Sequence, residues 1–188
     1  MLARSRRRST TLIAAAAVAL VGLVAAGCAE QSAAVRVGDT TMSQSDFEAE
    51  LDAYAASQAF VPDPASVRGE LSGSYTQDFV ASALRQRIEL MLAARLFDEH
   101  DLDLTDADIS DMTQQVGNQL DSIPRGLRES LIEDLALRMR LIDELGQEEY
   151  GRALTEAADT TDIEVNSHYG SWNPETYSVD PPEGPLEP

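Results

Sequence analysis

The chain has 188 residues and 43% hydrophobic content, enough for one buried core but not for a second large domain. Its fourteen cations, all arginine, face thirty-three acids, for a formal charge of −19. Such a balance repels phosphate backbones and anionic headgroups, which excludes nucleic acid and a broad membrane surface as partners and favours solubility.

The N-terminus reads as an export signal. Arg4, Arg6, Arg7 and Arg8 form a basic start, Leu12 to Val24 an apolar run, and Ala25-Ala26-Gly27 a small-residue site directly before Cys28, the only cysteine. The stretch resembles a lipobox, which implies a diacylglycerol on the Cys28 thiol and cleavage before it; Ala25 stands where leucine is usual. A single-pass anchor is the competing reading, and the apolar run is short for one. Ser5-Arg6-Arg7-Arg8 looks like part of a twin-arginine signal, but Ser9, Thr10 and Thr11 follow where a bulky apolar residue belongs, so the export route stays open between Sec and twin-arginine. Residues 1–27 are expected to leave as a signal peptide, taking four arginines and no acid and turning −19 into −23. The product is expected on the extracytoplasmic face of the cell membrane, held by its lipid. No thiol then remains for a disulfide or for redox chemistry.

Residues 28–34 form the lipidated tether and 35–166 the folded domain. Ala33-Ala34-Val35-Arg36-Val37 reads as a strand, Gly38-Asp39 as a turn and Thr40-Thr41-Met42 as a return strand. Ser43, with Asp46 three residues on, marks a helix start, and Phe47, Leu51 and Tyr54 follow at helical spacing. Val61-Pro62-Asp63-Pro64 ends that helix, and the stretch to Ser74 reads as a loop or partly ordered insert. From Thr76 to His100 apolar residues lie nearly all round a long helix, which makes it central. Thr105 and Asp108 cap the next helix, whose Ile109, Met112, Val116 and Leu120 form one stripe.

Pro124 sits near the first turn of a further helix that runs to about Gln147, with continuation through Tyr150 and Leu154 left open. On it Leu127, Leu131, Leu135, Met139 and Ile142 share a face, with Leu137 and Leu141 to its side, an apolar arc wider than one packing partner requires. Asp162-Ile163-Glu164-Val165-Asn166 alternates like an edge strand able to pair with the hairpin. Residues 167–188 read as a Pro-rich tail, pinned at Tyr169 and Trp172 and unstructured from Pro181 to Pro188. The fold class is mainly α with a small β-hairpin or sheet.

Chemistry-bearing patterns are scarce. Asp101, Asp103, Asp106, Asp108 and Asp111 are spaced somewhat like a calcium loop, but Asp106 occupies the position that needs glycine and Met112 the closing glutamate position. These acids are expected to cap a helix and solvate its first turn. His100 and His168 lie in no ligand-spaced cluster, and the chain has no phosphate loop, nucleophile elbow or zinc spacing. No enzyme activity and no cofactor are expected.

Val35 to Phe47, with its strand, turn, strand and helix start, resembles the opening of the SurA N-terminal domain family of extracytoplasmic chaperones, which includes lipid-anchored foldases related to PrsA. The likeness continues through the long helix ending at Phe97, the joint from Leu102 to Ile109 and the helix from Leu127 to Leu145, covering most of residues 33 to 150. Members that isomerise prolyl bonds carry a separate parvulin domain, and the roughly forty residues after Tyr150 are too few for one. The resemblance therefore implies a holdase that binds unfolded or exported polypeptides without isomerase activity. Leu137, Leu141, Met139 and Leu145 are the candidate groove for such clients, the alternative being that the wide arc only fills the core. A structural or adaptor lipoprotein holding one specific envelope partner is the rival function.

Overall fold

The computed structural model describes residues 32–182 apart from 59, 71 and 72; the signal segment, Cys28 and residues 183–188 lie outside the described residues. Among the described residues five α-helices and a small antiparallel sheet make the chain mainly helical, as the sequence predicts. Strand β1 (Ala33–Val37) turns at Gly38-Asp39 into β2 (Thr40–Ser43), and β3 (Ile163–Val165) returns from far along the chain to β1's other edge, giving the order β2-β1-β3. The return pairs Val35 with Val165 and Val37 with Ile163. Asn166 fastens it, its backbone N–H donating to the Ala34 carbonyl at 2.9 Å and its side-chain amide to the Ala33 carbonyl at 3.0 Å.

Ser43 caps α1 (Gln44–Ala56) by accepting from the Asp46 N–H. The next stretch, left as a loop or insert by its prolines, holds one short 3₁₀ turn at Pro64–Val67 and an isolated bridge between Arg68 and Tyr75. Helix α2 (Gln77–Glu99) carries Leu84, Ile88 and Leu92, all fully buried, and contacts α4, α5 and β1. Thr105 and Asp108 close a complete capping box on α3 (Asp106–Val116). The Thr105 hydrogen bonds hold the Asp108 carboxyl below the usual carboxylate range.

One reading left open by the sequence is decided, and one expectation is overturned. Helix α4 (Arg125–Leu145) does not run on into Tyr150, because Gly146 adopts φ 83 and separates it from α5 (Gln147–Thr160). One residue in that conformation is enough to redirect a chain that helical periodicity alone would carry straight on. Residues 167–188 are also more than a tail. β4 (Ser171–Asn173) and β5 (Ser178–Asp180) pair as a second hairpin, β5 packs on α2, and Tyr169 and Val179 are buried in the main core. The Tyr169 ring meets Phe47 edge-on at 5.1 Å, and its hydroxyl donates to Glu48 at 3.2 Å. Trp172, whose aromatic ring sits edge-on to Tyr177, lies inside this hairpin rather than at the start of a loose end.

The width of the apolar arc on α4 has a direct cause. The helix touches α2, α3 and α5, so three neighbours cover what one could not. Among the described residues no helix is long and apolar enough to cross a membrane.

Candidate functional site

The four groove residues proposed from sequence do not converge. At 100° per residue, Leu137, Leu141 and Leu145 step round one side of α4, while Met139 lies nearly opposite them. Leu141 is fully buried, Leu137 and Leu145 are half-buried against the core, and Leu145 lines a separate, largely polar concavity with Glu148, Glu149 and Arg152 that none of the other three reaches. Only Met139 is open to solvent, at 41% exposure, and it stands beside Arg140 and Asp143 rather than in an apolar trough. The α2, α3 and α5 contacts use the surface that a groove would need.

A different concavity has the properties sought. A cleft of about 460 Å³ opens between the first hairpin, α1, α2 and the start of α4. Its apolar lining is Met42 from β2, Met91 from α2 and Leu127 from α4, each half-buried. Asp46, Ala49 and Glu50 line it from one face of α1, Arg87 and Met91 from one face of α2, and Leu127 and Ser130 from one face of α4. Asp46 to Ala49 and to Glu50, Arg87 to Met91, and Leu127 to Ser130 are each three or four apart, the spacing that puts side chains side by side. The volume falls in the ordinary range for binding pockets, and the thioethers supply a flexible, polarisable wall.

The cleft has a charged floor. Glu50 is 1% exposed and would be costly to bury alone, but Arg87 reaches it from α2 with a fork of two hydrogen bonds, Nη2 at 2.7 Å and Nε at 3.1 Å. Arg87 Nη1 also donates to Asp134 of α4 at 2.8 Å, and the Tyr54 hydroxyl donates to Glu50 from one turn along α1. Burial works against the Arg87 charge, yet Glu50 and then Asp134 outweigh it and hold the guanidinium above its ordinary pKa. Burial, reinforced by Glu50, likewise raises the Tyr54 phenol well above its ordinary value. The network joins three helices and fixes the walls of the cleft relative to one another.

Comparison with family models, with curated proteins and with solved structures finds no match. The cleft's chemistry must therefore be judged on its own geometry. Among the described residues no three acids, histidines or cysteines converge as a metal site, and the one strongly buried ion network is fully paired. What the arrangement offers is apolar, adaptable contact above a rigid polar base. Sequence reasoning missed it because its residues come from four segments, with Arg87 lying 37 residues from Glu50 and 47 from Asp134. Met42 and Met91 at the mouth were the available signal, and neither is visible as a pair until the hairpin folds back toward α2.

Proposed function

We propose that the protein is a lipid-anchored, extracytoplasmic chaperone-like protein that binds unfolded or exported polypeptides and has no isomerase activity. The observation that carries this reading is the open cleft walled by Met42, Met91 and Leu127, a concavity of ordinary pocket size whose flexible apolar side chains remain part-exposed. Adaptable methionine walls suit many related segments rather than one rigid ligand. The N-terminal basic, apolar and small-residue segments before Cys28 support delivery to the outer face of the membrane and retention there. The likeness of Val35 to Phe47 and of the following helices to the SurA N-terminal domain supports a holdase role.

The test is light scattering of a chemically denatured client diluted into increasing amounts of protein that begins at Ala29, at low and high salt. Suppression near stoichiometric ratios that persists at high salt supports apolar client binding. Absence of suppression, together with a single stoichiometric partner in a membrane pulldown, would favour the adaptor role instead.

A further inference from the structure

Thr40, Thr41 and Met42 are consecutive residues of β2, yet all three line the cleft. Neighbouring side chains on a strand point to opposite faces, so a cleft that meets three in a row runs along the edge of the strand, where the backbone is. β2 is an end strand in the order β2-β1-β3, and among the described residues no strand pairs with its outer edge. Thr40-Thr41-Met42-Ser43 contains no proline and no charged side chain, two of the usual devices that keep an exposed edge from accepting another strand. The edge is short and β-competent, and it faces the apolar wall formed by Met91 and Leu127.

Charge narrows the occupant further. Of the charged residues that line the cleft, Asp46 and Glu50 face the single Arg87 guanidinium, which leaves one net negative charge around an apolar-walled cleft. A second copy of this chain is disfavoured, since it brings a formal charge of −19 to a negative site. Resting on the polypeptide-binding reading above, we infer that the cleft takes an extended apolar segment carrying an arginine or lysine, added to β2 as a further strand with its cation beside Asp46 and the Glu50–Arg87 pair. Main-chain hydrogen bonds along β2 supply affinity without demanding a sequence, and the methionines and the negative floor choose among segments. Strands rise about 3.3 Å per residue, so the edge offers roughly 13 Å, room for three or four residues of the guest.

The test uses protein beginning at Ala29, which carries the whole core, and short labelled peptides of alternating Val and Ser with a central Arg, Gln or Glu, read by fluorescence anisotropy. The Arg peptide is expected to bind roughly tenfold tighter than the Gln peptide, with Glu weaker still and the difference shrinking in high salt. N-methylation of alternate peptide nitrogens, which blocks strand pairing and leaves the protein untouched, is expected to abolish binding in one of its two registers. Leu127→Arg is expected to cancel the charge preference, and Met139→Arg, farther along α4 and outside the cleft lining, to leave it unchanged. Equal binding of the three peptides, or indifference to N-methylation in both registers, overturns this inference while client binding itself stands. Failure of every peptide to bind overturns both.

Discussion

Replacing Arg87 by methionine separates a paired buried charge from an unpaired one. The guanidinium is 12% exposed and makes three hydrogen bonds, two to Glu50 and one to Asp134, so its loss leaves the 1% exposed Glu50 carboxylate with only the Tyr54 hydroxyl. Removing one partner of a buried ion pair costs about 3–5 kcal/mol. The lower part of that range applies to Asp134, whose 26% exposure lets water replace the lost contact. For a domain of this size each kcal/mol moves the melting temperature by about 2–4 °C, so Arg87→Met should melt roughly 6–20 °C below the parent. The double variant Arg87→Met, Glu50→Leu removes the buried pair and leaves the Tyr54 hydroxyl short of a partner, at about 1–3 kcal/mol, with the part-exposed Asp134 carboxylate turning to water as it does in the single variant. It is therefore expected to be more stable than the single variant. Urea unfolding followed by helical ellipticity gives both numbers. A single variant within about 1 kcal/mol of the parent, or a double variant less stable than Arg87→Met, would refute the assignment of this network as a charge-compensated tie between three helices.

Three further outcomes are expected. Burial lifts the phenols of Tyr75, Tyr169 and Tyr177 to about 12, helped by Asp52, Glu48 and Glu89 respectively. A raised acid favours its protonated form in the fold, so its stabilisation is intact below the unfolded value near 10 and is lost as pH rises through about 12. The chain has no lysine to titrate in that window, so phenolate absorbance and loss of ellipticity should rise together; phenolate appearing near pH 10 with the fold intact would contradict this. Gly170→Ala places a Cβ against the Asp180 carbonyl at a backbone φ of 134, and should cost about 1–3 kcal/mol in thermal melts by unseating the second hairpin. An unchanged melt would restore the tail reading of residues 167–188. Cys28→Ser is expected to release the protein from the membrane fraction, and full retention of that variant would point to a transmembrane anchor.

Much of the fold is legible in the sequence because its signals are local. The Ser43 and Thr105 caps, the Gly38-Asp39 turn and the apolar periodicity from Val80 to Phe97 each act within a few residues, and the structure places them where the pattern predicts. Alternation in Ile163-Glu164-Val165 was also readable, and the strand pairs with β1 on the edge away from β2. The Gly146 break was less visible, since a lone glycine inside a helical pattern is often tolerated and only its positive φ ends the helix. The second hairpin escaped notice because prolines and polar residues around it mask two strands of three residues each. The candidate site was the least legible part. Periodicity counts apolar positions on a helix but not its neighbours, so it could not tell that α4 packs on three helices at once, or that Met42 and Met91 line one cleft.

The most direct test of client binding at the cleft is photo-crosslinking, with a benzophenone side chain at Leu127 in one variant and at Met139 in another, mixed with a chemically denatured client as it is diluted. Adducts from position 127 and not from 139 are the predicted result. Adducts from 139 alone, or from neither while both variants remain folded, would contradict the assignment of the methionine-lined cleft as the polypeptide-binding site.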